Sequence, residues 1–260
     1  MKTGGQMDIY AFANQKGGVG KTTVTLGIAT ALARRGTRTL LVDLDPQASS
    51  TKVLGIDTDE RVTVADALLE PDRFGLAATV IDTSWGFALA PAETALASRE
   101  ARRSTADEFV LRNQLRGLDG YDAVLLDCPP SLGVLTLNAL AAASRLVVVT
   151  EPSFLALQGI QELMRTRDLV AAHYNPELRL AGVIVNRVER TIEHRDGVDE
   201  LISYFGPDLV WAPRIAKRTV LQEGARRGIR LDDLRSPAAQ ELARTFRELA
   251  ARIEVASAVR

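Results

Sequence analysis

Ten residues near the start of the chain, Asn14-Gln15-Lys16-Gly17-Gly18-Val19-Gly20-Lys21-Thr22-Thr23, combine two lysines, three glycines and two adjacent hydroxyls. Those residue types at that spacing suit a phosphate. Glycines let backbone N–H groups converge on an anion with no Cβ in the way. Lys21 reaches terminal phosphate oxygens, and the Thr22 hydroxyl suits Mg²⁺. Further along stand three carboxylates with apolar runs before them: Asp43 and Asp45 in Leu41-Val42-Asp43-Leu44-Asp45-Pro46-Gln47, and Asp127 in Ala123-Val124-Leu125-Leu126-Asp127-Cys128-Pro129-Pro130. Carboxylates at strand ends beside a phosphate loop orient a water or hold Mg²⁺ through water.

The elements around these residues must place them together. Ile9–Ala13 reads as a short buried strand and Val24–Arg35 as a helix, so the loop has the strand–loop–helix context it needs. That helix ends at Gly36, a suitable C′ glycine. Two other readings of the loop exist. One is a glycine turn with solvated lysines. The other is a dinucleotide fingerprint, which Gly18 and Gly20 fit; its third glycine falls on Thr23, and it gives Lys21 and Thr22 no role. Further strands are expected at Thr39–Val42, Phe87–Ala90, Ala123–Leu126, Leu146–Thr150, Ala181–Val185 and Leu209–Trp211, with helical patterns between most of them. Several are continuously apolar, as parallel strands covered on both faces are. The expected fold is therefore α/β: a doubly wound, mainly parallel sheet with helices on both faces. Asp43 and Asp45, two apart, are expected on one side of an extended strand. From Ala48 to Thr83 the signal is weak, with a short helix at Thr63–Leu69. Glu93–Arg103 reads as a solvated helix, and Trp85 as packing.

The chain has 260 residues, 46% hydrophobic and 25% charged, with a net charge of −1. Any nucleic-acid binding must therefore come from a local patch rather than from a polycation. One cysteine allows no internal disulfide, which fits a reducing cytoplasm. No apolar run approaches the roughly 20 residues needed to span a bilayer. Residues 1–7 lack the apolar segment of a signal peptide and read as a flexible tail. With no linker or repeat, residues 8–260 are expected to form a single domain.

The phosphate loop departs from the common G-x-x-x-x-G-K-[ST] pattern: Gln15 takes the place of its first glycine, and Lys16 is added. The run K-G-G-x-G-K-T resembles the deviant Walker A motif of the ParA/MinD ATPases. V-D-x-D-P-Q resembles that family's second acidic motif, and D-x-P-P its switch segment. The resemblance implies ATP and Mg²⁺ as cofactors and Gly17, Gly18, Val19, Gly20, Lys21, Thr22 and Thr23 around the phosphates. It implies Thr22, Asp45 and Asp127 around the metal, and Lys16, Lys21 and Asp45 in hydrolysis. Lys16 would cross to the nucleotide of a second subunit in an ATP-state homodimer. Cys128, where many relatives have threonine, reads as a small buried residue. Ser131-Leu132-Gly133 and the helix after it would carry switch and dimer contacts.

The later motifs are less specific. Glu151 and Phe154 match positions that meet the ribose across the dimer, or else form a helix-entry loop. Asn186 can match an adenine edge or cap a strand end. Pro213 matches a proline that flanks the base. Residues 214–230 are rich in Arg and Lys against one acid, Glu223. Such a run is a solvated amphipathic face or, as in ParA proteins, a site for non-specific double-stranded DNA; Arg190, Arg214, Lys217, Arg218, Arg226 and Arg227 are the candidates. The terminal helix mixes acids and bases opposite its apolar face, unlike the basic membrane-targeting helix of MinD proteins. The resemblance thus implies a cytoplasmic, nucleoid-associated partition ATPase, with slow hydrolysis stimulated by a ParB-type centromere-binding protein and no membrane contact. A MinD-like membrane-surface ATPase and a ParA-like positioner of another cargo are the alternatives.

Overall fold

Six of the seven expected strands form, most of them runs of β-branched and aliphatic residues that suit a sheet buried on both faces. The computed structural model describes residues 7–101, 109–153 and 156–258. Its sheet has seven strands: β1 (Asp8–Ala13), β2 (Thr39–Asp43), β3 (Ile81–Asp82), β4 (Ala88–Ala90), β5 (Ala123–Asp127), β6 (Arg145–Thr150) and β7 (Arg179–Val185). They lie in the order β3-β4-β2-β5-β1-β6-β7. All neighbours are parallel except the edge pair β3–β4. The two-residue β3 has no periodicity long enough to show in sequence. The expected strand at Leu209–Trp211 is only a bridge, Val210 beside Val183.

Alternate residues of each strand enter two cores. Ala11, Val42, Leu126, Val148 and Val185 face one side with α3 (Val64–Leu69), α5 (Val110–Leu115), α6 (Val134–Ala142), α7 (Ala156–His173) and α8 (Ile192–Phe205). Phe12, Leu41, Leu125, Val149 and Ile184 face the other, against α1 (Lys21–Arg34) and α10 (Pro237–Ala258). The remaining helices are α2 (Ser49–Val53), α4 (Ala97–Ala101) and α9 (Thr219–Arg227). α10 buries Leu242, Phe246, Leu249 and Ile253. It approaches α1 closely: a Cβ on Gly27 would lie 2.5 Å from the Phe246 ring.

Several boundaries differ from expectation for local reasons. α1 begins at Lys21, three residues before its apolar pattern, because left-handed Gly20 (φ 89°) starts the helix directly from the loop. Gly36 ends it in the expected left-handed conformation. The expected solvated helix at Glu93–Arg103 is a 3₁₀ turn at Thr94–Leu96 followed by α4, with Leu96 and Arg99 buried; residues 102 and 103 lie outside the described residues. α3 carries a capping box, in which Asp66 accepts from the Thr63 backbone N–H at 2.8 Å. Of the expected tail, residues 1–6 lie outside the described residues, and Met7 packs half-buried against the first core.

Candidate functional site

Parallel strands place their C-terminal ends on one rim, and β1 sits where the order turns, with β5 on one side and β6 on the other. Register puts Asp127 beside both Phe12 and Asp43. The loop after β1, the two acidic strand ends and the segments after β6 and β7 therefore meet at one place.

The loop is fixed from below. Buried Asn14 donates to the Val149 carbonyl at 2.8 Å and accepts from the Lys16 N–H at 3.0 Å. Gly18 and Gly20 both have positive φ, 78° and 89°. A Cβ on Gly20 would meet Asn186 Nδ2 at 2.3 Å, so glycine is required twice over. Asn186 is buried. Its Nδ2 donates to the Val19 carbonyl at 2.8 Å, and its Oδ1 has no partner among the described residues. In this arrangement Asn186 latches the β7 end to the loop. Pro213 is half-buried, and Phe154 lies outside the described residues.

Because α1 starts at Lys21, the first-turn N–H groups of Lys21, Thr22 and Thr23 lie at the loop mouth with the positive end of the helix dipole. The Lys21 side chain is only 6% exposed. Its ammonium makes one long hydrogen bond, 3.3 Å to the Lys16 carbonyl. Burial lowers its pKa, while Asp127, Cys128 and Asp45 pull the other way. A desolvated cation with donors to spare beside a helix N-terminus is an anion site.

The carboxylates divide their roles by burial. Asp43 is fully buried and accepts from Thr51 N and Oγ1 at 3.0 and 2.8 Å and from Asp45 N at 3.2 Å. Asp127, also fully buried, accepts from Ser50 Oγ at 2.8 Å. Burial raises the pKa of both, and the charge of Asp127 adds to the rise at Asp43. The nearby Thr22 hydroxyl favours the ionised form of Asp127. Even so, Asp127 Oδ1 is buried without a hydrogen bond of good geometry among the described residues. An unmatched carboxylate oxygen beside a threonine hydroxyl fits a hard divalent cation.

Asp45 lies just past the strand that carries Asp43. β2 ends at Asp43, and Asp45 sits half-exposed in the following turn, where its Oδ1 accepts from Gln47 N at 2.9 Å. Cys128 is buried, and burial pushes its thiol pKa far up, so it is no nucleophile.

Lys16 is turned away from Lys21. Its ammonium meets Glu151 Oε1 at 2.6 Å and Ser153 Oγ at 3.2 Å, while Arg187 lies 3.9 Å from the other Glu151 oxygen. Ser50, Thr51, Ser153 and Arg187 are thus site residues that the sequence reading missed. Their visible signal was weak: small hydroxyls just after an acidic strand end, or on the far side of the loop.

The basic candidates fall into two groups. Arg190 and Arg214 line one open cleft with His194 and Arg195, and Lys217 lies nearby, paired with Glu189 at 2.9 Å. Arg218 precedes α9 and pairs with Glu241 at 3.6 Å; Arg227 in α9 pairs with Glu223 at 3.1 Å. Arg190, Arg214 and Arg226 are exposed and make no ion pair among the described residues.

Known proteins bear directly on this geometry. A family model for an AAA domain, AAA_31, matches residues 7–180. The chain is 40% identical over 249 residues to the chromosome-partitioning ATPase Soj of Thermus thermophilus, covering 95% of this chain and 96% of that one. A solved structure of cobyrinic acid a,c-diamide synthase from Mycobacterium smegmatis, with an ATP analogue and magnesium bound, is 36% identical and superposes with a TM-score of 0.80 over 95% of this chain and 93% of that one. An ATP complex of a McdA variant from Cyanothece shares the fold at 20% identity, with a TM-score of 0.85 over 96% of this chain and 98% of that one.

Proposed function

The chain belongs to the Soj/ParA family of chromosome-partitioning ATPases, and from that membership and its rim geometry we propose a DNA-partition ATPase built as one domain over residues 8–260. The observation that carries the reading is buried Lys21, whose ammonium makes, among the described residues, one long hydrogen bond. A polyphosphate supplies the anionic oxygens that this cation and the first-turn N–H groups require. ATP is the substrate, cradled by the backbone of Gly17 to Thr23. Thr22, Asp127 and Asp45 would hold Mg²⁺. Bound there, Mg²⁺ neutralises charge on the phosphoryl oxygens. Asp45, half-exposed beyond the strand, offers its second carboxylate oxygen to orient the attacking water, while Lys21 stabilises charge developing on the leaving phosphate.

In this reading two ATP-bound subunits join and Lys16 of each reaches the phosphates of the other. Such a cation in trans is worth about 10³–10⁵ in rate in the best-studied phosphoryl transfers. Glu151, Phe154, Asn186 and Pro213 surround the ribose and base. The dimer unites two sets of Arg190, Arg214, Lys217, Arg218, Arg226 and Arg227, so affinity for non-specific DNA rises through avidity. A ParB-type partner then speeds the slow hydrolysis and releases the dimer from the nucleoid. The terminal helix supports DNA rather than membrane as the surface. α10 commits its apolar face to the core.

Binding to a random-sequence duplex, at low and moderate salt with ATP, ADP or no nucleotide, tests the reading. Tight, salt-sensitive binding is expected with ATP alone. Absence of DNA binding in a protein that still binds ATP would remove the DNA role.

A further inference from the structure

The side chain of Lys16 has two claims on it. Its backbone is bonded on both sides: the N–H is held by Asn14, which is anchored in turn on β6, and the carbonyl receives Lys21. Only the side chain can turn. It is turned onto its own subunit, where the ammonium meets Glu151 at a charge-assisted 2.6 Å and Ser153 at 3.2 Å. Glu151 directly follows β6, the strand beside β1, so sheet pairing fixes the carboxylate within reach of the loop. Arg187 approaches the second carboxylate oxygen at 3.9 Å and competes for the same negative charge.

We propose that Glu151 and Ser153 form a catch that parks Lys16 on its own subunit and thereby sets the protein concentration at which two ATP-bound subunits join. The proposal rests on the reading of Lys16 as the lysine that crosses to a second subunit. Taken as a stability element the pair would be minor, since both side chains are partly exposed, 40% and 24%. As a competitor it is not minor. A lysine held in the wrong place lowers the fraction of subunits competent to join, and apparent affinity falls by that fraction. Both subunits must release a lysine, so the factor enters twice. An exposed ion pair of ordinary strength favours the parked form about twofold, so about a third of subunits have Lys16 free and the dimer constant falls about ninefold. Glu151 is a positioning residue in this account: it acts through Lys16.

The test is sedimentation of the full chain with Mg²⁺ and a non-hydrolysable ATP analogue, for wild type, Glu151→Gln, Ser153→Ala and Arg187→Ala. Glu151→Gln should tighten dimerisation about five- to tenfold. Ser153→Ala, which changes no charge, should tighten it about twofold. Arg187→Ala should weaken it, because Lys16 then loses its competitor for Glu151. A ¹H–¹⁵N spectrum of the lysine ammonium groups supplies an independent readout. The Lys16 signal, assigned by its loss in Lys16→Ala, should be slowly exchanging in nucleotide-free wild type and lost in Glu151→Gln. A wild-type dimer whose constant is unchanged in Glu151→Gln overturns the catch alone. A tighter Glu151→Gln dimer with the Lys16 signal unaltered assigns the effect to bulk charge and also overturns it. Failure of every variant to dimerise with nucleotide bound overturns the crossing-lysine reading, and the catch with it.

Discussion

The strand-end rim and the arginine-bearing face around α8 and α9 both gather charge, but by opposite means. At the rim, Lys21, Asp43 and Asp127 are buried, and strand register sets the two carboxylates side by side. On the other face the cations are exposed, and several share their charge with a nearby glutamate. Buried charge carries a large desolvation cost and persists only with a partner matched to it, so the rim selects one kind of ligand and depends on single atoms. Exposed charge stays solvated and screened, so it acts as a sum. Loss of a residue should therefore be all-or-none at the first region and graded at the second.

The sharpest way to break this contrast is Lys21→Ala. Removing a buried cation from its anion should weaken ATP binding about 100-fold or more; an affinity near wild type by calorimetry would show that the rim is no more selective than the exposed face. Gly20→Ala comes next. It forces an L-residue to φ 89° and drives a Cβ into Asn186, whose bond to Val19 must then break. Strain and a lost buried hydrogen bond together should cost at least about 2 kcal/mol of unfolding free energy, read from denaturant melts without nucleotide. A smaller cost would mean that the latch yields easily and that the loop is less rigid than its geometry requires.

The contrast also governs what the sequence revealed. Lys21 and Asp127 stood out because local spacing beside an apolar strand suggests a chemical role, Lys16 and Asp45 took their expected roles from the family resemblance, and the strands were legible because burial on both faces leaves them uniformly apolar. β3 was not legible, since two residues carry no period. That Asp45 lies beyond the strand, in the turn that leads to Gln47, was not legible, because β2 ends where its pairing with β5 ends, at Asp43 and Asp127. Ser50 and Thr51 were missed for a similar reason: their partners, Asp127 and Asp43, lie on β5 and at the end of β2, and only the fold makes them neighbours. Glu151 was legible as a site residue, but its hold on Lys16, 135 positions away, was not.

On the arginine-bearing face the expected effects are smaller and separable. Arg226 makes no ion pair among the described residues, whereas Lys217 is paired with Glu189 at 2.9 Å. If each cation acts through phosphate neutralisation, Arg226→Ala should weaken ATP-state DNA binding about three- to fivefold at moderate salt and lower the log–log salt slope by about one per subunit. Lys217→Ala should do less, because part of its charge is already cancelled. Equal losses, or a single substitution that abolishes binding, would mean that this face works through one fixed contact, as the rim does.

The smallest expected effect isolates the sharing itself. Glu241 lies 3.6 Å from Arg218, with both side chains about half exposed. Such a pair contributes little to folding, so Glu241→Gln should leave the melting temperature within about 1 °C. It nevertheless returns a full charge to Arg218. If exposed charges add, DNA affinity in the ATP state should rise about twofold at low salt, and the gain should fade as salt is raised, because screening removes what the glutamate had been cancelling. A gain that survives moderate salt would point to a specific Arg218–phosphate contact that Glu241 had blocked. No gain at any salt would place Arg218 outside the summed charge, leaving its neighbours to carry the face.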